Sequence, residues 1–279
     1  MGESPPPAGV SFMGESPPPA GVTSRRATQI PPGGATYPLA LRDAGTCTRL
    51  AGIVRTMKSA WIAGASGLVG SQLLALLLED TQFGAIVSLG RKRLDVANPK
   101  LEQRLVDFTR LELDAVASPE VAFCALGTTI AKAGSQQAFR AIDHDAVLAF
   151  ARCALAAGAR CFALVSALGA DPASRIFYNR VKGETEADLR SLGFASLVIA
   201  QPSLLLGDRA ESRPTERAMI VTSRLLAGLL KPFASRPIEA QVVARALLAI
   251  ARDPQPGTRI YLSGELQSLG RAEHPRPAL

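Results

Sequence analysis

From residue 57 onward, short unbroken apolar runs alternate with stretches whose apolar residues recur every three or four positions. The runs are Ser59 to Ala65, Ala85 to Leu89, Leu101 to Asp107, Val121 to Leu126, Cys161 to Ser166, Ser196 to Ala200 and Arg259 to Leu262. The three-to-four-residue period covers Leu68 to Glu79, Gln136 to Ala157, Ala173 to Leu192 and Glu239 to Arg252. Strand-length runs that do not alternate suit strands covered on both faces, and their regular exchange with helical patterns predicts a doubly wound α/β fold on a parallel sheet. Gly158 and Gly193 each close a helical stretch and open a strand, where a left-handed C-cap is needed. The alternation is continuous, so the expectation is one Rossmann-type domain over 57–279. A small substrate-side cap from about 203–237 is expected to include a helix at Met219 to Leu230.

The first 56 residues read differently. MGESPPPAGV occurs at Met1 to Val10 and again at Met13 to Val22, followed by Pro31-Pro32-Gly33-Gly34. Such a stretch has too little apolar surface to offset the entropy of ordering it, so 1–56 is expected to be a disordered tail, with Met57 as the functional start. It has no apolar segment with a cleavage site, and Arg25-Arg26 is its one transit-like feature.

The first apolar run leads directly into Gly64-Ala65-Ser66-Gly67-Leu68-Val69-Gly70 and then into a helical pattern. In a strand–turn–helix, the first glycine allows the tight turn, the second lets the backbone approach a pyrophosphate, and the third lets helix and strand pack closely. An ordinary glycine turn has the same letters. Here a second strand follows at βαβ distance, and no lysine stands where a phosphate-loop ATPase needs one. These seven residues are therefore the candidate dinucleotide cradle.

The second strand runs into Gly90-Arg91-Lys92-Arg93 without an acid to accept the ribose 2′-hydroxyl. Arg91 offers a planar, permanently charged fork to a 2′-phosphate and Lys92 adds charge, so NADP(H) is expected before NAD(H). By topology, Asp107 and Phe108 beyond the third strand, and Leu126, Gly127 and Thr128 beyond the fourth, lie where the adenine, central phosphates and ribose would sit.

Composition narrows the alternatives. The 279 residues are 47% hydrophobic, enough for a large core, and carry a net charge of +7. The basic residues are scattered among acids and only 5% of residues are aromatic, so no nucleic-acid partner is expected. No apolar stretch reaches the roughly 18 residues that span a bilayer. Cys47, Cys124, Cys153 and Cys161 form no CxxC pair, and with only His144 and His274 a metal site is not expected. These features lead to the expectation of a soluble, cytoplasmic protein.

The candidate chemistry is at Tyr178-Asn179-Arg180-Val181-Lys182, which puts a phenol and an ammonium four residues apart on one helix face. A nearby cation favours the ionised phenol, so Lys182 is expected to lower the pKa of Tyr178 toward usable values. Ser166 ends the fifth strand, where its hydroxyl can hydrogen-bond a substrate carbonyl. His144 as a general base competes with a satisfied structural role.

The order of glycine turn, strand-end serine and Tyr-x-x-x-Lys resembles the short-chain dehydrogenase/reductase superfamily, in its atypical and extended branch, from about Lys58 to Gly264. The phrases CALGTTIAKAGSQQAFRAIDHD from Cys124, LVSALGADPASRIFYNRVKGETE from Leu164 and QPSLLLGDR from Gln201 are similar to the Tat-interacting-protein oxidoreductase group and its bacterial relatives. The resemblance implies catalytic roles for Ser166, Tyr178 and Lys182, with Tyr178 and Lys182 also touching the cofactor. It further implies Pro202, Ser203 and Leu204 beside the nicotinamide. Where the superfamily often has an asparagine on the helix after the fourth strand, this chain offers Asp143, His144 and Asp145, so a proton relay of that form is not expected. The implied activity is NADP(H)-dependent hydride transfer to or from a small carbonyl or alcohol, by a monomer or homodimer. The alternative is an NADPH-binding regulator that binds a protein partner with little turnover. A nucleotide-sugar epimerase would need a larger substrate domain than the chain beyond Pro202 supplies.

Overall fold

Six residues, Lys58–Ala63 (β1), form the third strand in the order of a seven-stranded sheet, with four of the six side chains buried. The computed structural model describes residues 57–113, 116–207 and 236–272. The expected N-terminal tail and most of the cap, with its helix at Met219 to Leu230, lie outside the described residues.

The strands that follow are Phe83–Gly90 (β2), Leu101–Leu105 (β3), Val121–Cys124 (β4), Cys161–Val165 (β5), Ser196–Gln201 (β6), Leu205–Leu206 (β7), Ile238–Glu239 (β8) and Gly257–Leu262 (β9). The large sheet has the order β3-β2-β1-β4-β5-β6-β9, and every pairing in it is parallel. β7 and β8 form a separate parallel pair. This is the doubly wound Rossmann-type α/β fold. Chain order reverses between β1 and β4, and at such a switch point a crevice opens beyond the carboxyl ends of the strands.

The helices are Leu68–Glu79 (α1), Ile130–Ala133 (α2), Gln136–Arg140 (α3), Ala146–Ala156 (α4), Phe177–Ser191 (α5), Ala240–Arg252 (α6) and Ser263–Ala272 (α7). One face of the sheet is covered through Leu73, Leu77, Val243 and Leu247 of α1 and α6. The other is covered through Phe150, Ala151 and Leu189 of α4 and α5, packed with Trp61 and Phe162. The Trp61 indole N–H donates to the Ala117 carbonyl at 2.8 Å, which satisfies the one polar atom of this buried ring.

At the opposite end of the sheet from the crevice, the Lys58 ammonium donates to the carbonyls of Ala251 and Arg252 at 3.1 and 2.6 Å. A cation there meets the unpaired carbonyls of a helix C-terminus. Arg252 in turn pairs with the buried Asp80 carboxylate at 2.7 Å, joining the last turn of α6 to the end of α1.

Several sequence expectations shift. The helix expected over Gln136 to Ala157 is broken by a π-turn at Ala141–Asp145. The helix expected from Ala173 begins at Phe177, because Asp171 and Ser174 bind the backbone N–H groups of Ala173 and Ile176 and hold the chain in turns. Strands β3, β4 and β5 end one or two residues early, which leaves Asp107, Leu126 and Ser166 in the loops beyond them. Helix α7, Ser263–Ala272, was not anticipated.

Candidate active site

The glycine turn after β1 is shaped by close backbone approach. Gly64 has φ +85°, and a Cβ there would lie 2.5 Å from the Ala125 carbonyl group beyond β4. A Cβ on Gly70 would lie 2.1 Å from the Gly64 carbonyl oxygen. Gly67 caps α1 without a side-chain hydrogen bond, and the first turn of α1 has no acidic residue, so no carboxylate of that turn competes for its N–H groups. Ala65 and Val69 are buried beneath the turn, while Ser66 is exposed and Gly67 and Leu68 are half-buried. This arrangement fits a pyrophosphate group.

Arg91 and Lys92 are exposed in the bend after β2. Asp107 accepts from the Thr109 N–H and hydroxyl at 2.9 and 2.8 Å, which hold its pKa below the usual carboxylate value and cap a short 3-10 turn. Phe108 is buried beneath that turn.

Beyond β4, residues 125–128 touch two parts of the site. Ala125 meets the glycine turn, and a Cβ on Gly127 would lie 3.4 Å from Asp143 Oδ1 and 3.7 Å from Lys182 Nζ. Leu126 is half-buried between them, and the Thr128 N–H donates to Asp143 Oδ2 at 2.8 Å. Lys182 Nζ lies 2.7 Å from Asp143 Oδ1, with the two side chains 5% and 1% exposed. Tyr178, one turn earlier on α5, packs its ring 5.4 Å from that of the fully buried Phe139.

Burial opposes charge on Lys182, but Asp143, helped by Tyr178 and Cys124, more than offsets it, so the net shift of the ammonium is upward. Burial also raises the Tyr178 phenol; Lys182 pulls it down and Asp143 pushes it up, leaving it above its ordinary value. The expected lowering by Lys182 is present but outweighed, first by burial and to a smaller degree by the Asp143 carboxylate. Burial pushes the Cys124 thiol up to about 12, so it stands neutral beside this pair.

Ser166 is held elsewhere. Its hydroxyl donates to Glu186 Oε1 at 2.5 Å, and Glu186 also accepts from Gln201 at 2.9 and 3.1 Å and from Arg190 at 3.2 Å. The serine therefore presents lone pairs rather than a donor, contrary to the expected carbonyl contact. Glu186 was missed by sequence reasoning, although it extends Tyr178 and Lys182 by one more four-residue step along the same face of α5. Gly183 was missed too. A Cβ there would lie 2.2 Å from the Asp171 carbonyl carbon, so α5 rests directly on the loop that joins Ser166 to Tyr178.

The remaining candidates are tied to structure near the site. Pro202 is buried and its carbonyl accepts from the Leu168 N–H at 3.0 Å. The Ser203 hydroxyl donates to the Arg236 carbonyl at 2.5 Å and lies 2.9 Å from the Ser263 hydroxyl, while Leu204 is exposed. His144 is gripped between Asp145 and Asp188 at 2.7 and 2.8 Å, the satisfied structural role. Among the described residues no group of three metal-ligating side chains occurs, and no helix is long and apolar enough to cross a membrane.

No family model matches the chain. It is 42% identical over 164 residues to the rat protein HTATIP2, covering 57% of this chain and 67% of that one. It is 32% identical over 226 residues to the mitochondrial protein fmp52 of Aspergillus fumigatus, covering 75% and 95%, and 33% identical over 206 residues to FMP52 of Candida albicans, covering 70% and 88%. The fungal proteins are named mitochondrial, which overturns the expectation of a cytoplasmic protein. In fold, the chain is similar to a short chain dehydrogenase family protein from Francisella tularensis, at TM-score 0.56 and 14% identity over 75% of this chain and 98% of that one. It is also similar to MoeE5 in complex with UDP-glucose and NAD, at TM-score 0.55 and 16% identity over 77% and 82%. The fold is thus that of the NAD-binding short-chain dehydrogenases/reductases.

Proposed function

This chain belongs to the HTATIP2/FMP52 family of atypical short-chain dehydrogenases/reductases, and from that membership we propose that it is an NADP(H)-dependent oxidoreductase acting on a small carbonyl or alcohol, with Tyr178 as the acid/base. The observation that carries the reading is the segment 125–128, which abuts the glycine turn at Ala125 and the Lys182–Asp143 pair at Gly127. One short loop thereby joins a cradle suited to a dinucleotide with a phenol and an ammonium suited to proton transfer.

In this reading the N–H groups of the α1 first turn and the Gly64 to Gly70 backbone hold the pyrophosphate, and Arg91 and Lys92 receive a 2′-phosphate. A bound nicotinamide supplies the hydride. Tyr178 gives its hydroxyl proton to the substrate oxygen, and Lys182, fixed by Asp143, holds the ribose. Ser166 orients the substrate oxygen, either by accepting from an alcohol with the lone pairs it now presents or by turning its proton from Glu186 toward a carbonyl. Pro202, Ser203 and Leu204 border the nicotinamide side. By the same family membership, the proposed location is mitochondrial.

The test pairs wild type with Tyr178→Phe in NADPH binding and in NADPH oxidation over a panel of aldehydes, ketones and quinones. Equal NADPH affinity with turnover reduced by about a hundredfold or more in the variant is expected, the scale of general-acid catalysis. Binding without turnover on every compound would overturn the enzyme reading in favour of the regulatory one. Organelle fractionation with an antibody to the chain tests the location.

A further inference from the structure

The π-turn at Ala141–Asp145 carries a buried acid to which the proposed chemistry gives no part beyond fixing Lys182. A π-turn is rare in helices and is found frequently at functional sites. Here it is also approached from α5: the Thr185 hydroxyl shares its proton between the Val181 carbonyl at 2.8 Å and the Asp143 carbonyl at 3.0 Å. The side chain it carries into the site is Asp143, whose two oxygens divide between the Lys182 ammonium at 2.7 Å and the Thr128 N–H at 2.8 Å. Both side chains of the pair are almost fully enclosed, so their interaction is far less screened than that of a surface pair.

We propose that Asp143 is a positioning residue: a built-in counter-ion that fixes the Lys182 ammonium beside Gly127 and offsets part of its charge at the Tyr178 phenol, helping the buried site to hold its proton until a substrate oxygen takes it. The inference deepens the reading of Tyr178 as the acid/base and rests on it for its catalytic meaning, though not for its test. An uncompensated ammonium beside a phenol favours phenolate, the form that removes a proton from an alcohol. A compensated one leaves the phenol protonated, the form that completes carbonyl reduction.

The other groups around the cluster do not undo this balance. Cys124, from β4, is a neutral thiol. Phe139, from α3, presents only its ring. On α5, Glu184 is paired with Arg140, and Glu186 is held by Ser166, Gln201 and Arg190. His144 and Asp145, beside Asp143 on the π-turn, pair with each other, and His144 also pairs with Asp188.

The test reads the phenol directly and needs no substrate. The chain has three tyrosines, so the ultraviolet tyrosinate titration of each protein minus that of its Tyr178→Phe counterpart isolates Tyr178. Asp143→Asn is expected to move that titration down by about one pH unit or more, Lys182→Met to move it up, and the double variant to return it close to wild type. A part played only in packing would not give shifts of opposite sign that cancel. A titration of Asp143→Asn that coincides with wild type, or lies above it, overturns the proposal. Where Asp143→Asn alone does not fold, Lys182→Met and the double variant isolate the same charge, and the double variant must titrate lower than Lys182→Met. Failure of turnover in the carbonyl panel would count against the enzyme reading and leave these titrations standing.

Discussion

Gly70 sits so close to Gly64 that a Cβ on it would fall 2.1 Å from the Gly64 carbonyl oxygen. The contact is backbone on backbone, with no flexible side chain to move aside. Gly70→Ala must therefore push α1 away from β1, at a cost of about 1–3 kcal/mol or more. It should lower the midpoint of denaturant unfolding and weaken NADPH binding together. An alanine variant with unchanged affinity would show that α1 is not pressed against the turn.

Arg91 and Lys92 stand exposed at the end of β2. Loss of one charge-assisted contact is worth about 1.5–3 kcal/mol. Arg91→Ala is accordingly expected to weaken NADPH by tenfold or more and to leave NADH nearly unchanged, as read by fluorescence titration of both. An equal loss for the two would remove Arg91 from the 2′-phosphate site.

Ser166 and Glu186 share a buried network in which the carboxylate has three side-chain partners, Ser166, Gln201 and Arg190. Ser166→Ala removes one donor, for about 1–3 kcal/mol. Glu186→Ala strands all three partners and should cost more, about 3–5 kcal/mol. Urea unfolding of both variants checks the order, and a milder loss in Glu186→Ala than in Ser166→Ala would mean that the carboxylate contributes no net stability.

Alkaline pH should unfold the protein in part through Cys124. Its thiol titrates near 9.0 when unfolded and is pushed up to about 12 by burial in the native state. A raised native value means that its contribution is complete below 9.0 and is lost as pH climbs from there toward about 12. The Tyr178 phenol is shifted the same way and adds to the loss. Cys124→Ala should flatten the fall in stability across that window, and a fall of unchanged steepness would contradict it.

Phe139 contacts the rings of Phe177 and Tyr178 at 5.8 and 5.4 Å and is fully buried. Phe139→Ala is expected to cost about 3–5 kcal/mol. Because the ring supports Tyr178, turnover measured well below the melting temperature should fall as well.

The order of strands and helices was readable because strands buried on both faces leave unbroken apolar runs, and the glycine turn was readable because only glycine permits its approach to Ala125. Tyr178 and Lys182 were readable from helical spacing. The partner of Lys182 was not. Asp143 follows Phe139 by four residues and so shares its buried face, but spacing within one helix does not show that its carboxylate meets a lysine on another. Glu186 repeats the spacing of Tyr178 and Lys182, but spacing alone does not tell a buried carboxylate from a solvated one; the strand-end donors Ser166 and Gln201 make the difference. Ser166 lies one residue beyond the end of β5 rather than within it, and the direction of its proton depends on that unseen carboxylate.

A π-turn holds one residue more than an α-turn. Removing a single residue from Ala141–Asp145 would let α3 and α4 fuse into one regular helix and would rotate the side chains before the deletion by about 100° against those after it. A one-codon insertion or loss is thus enough to create or abolish the anion opposite Lys182 without altering any residue of α5. In descent, the electrical setting of the phenol can change in one mutational event while the Tyr-x-x-x-Lys signature stays intact.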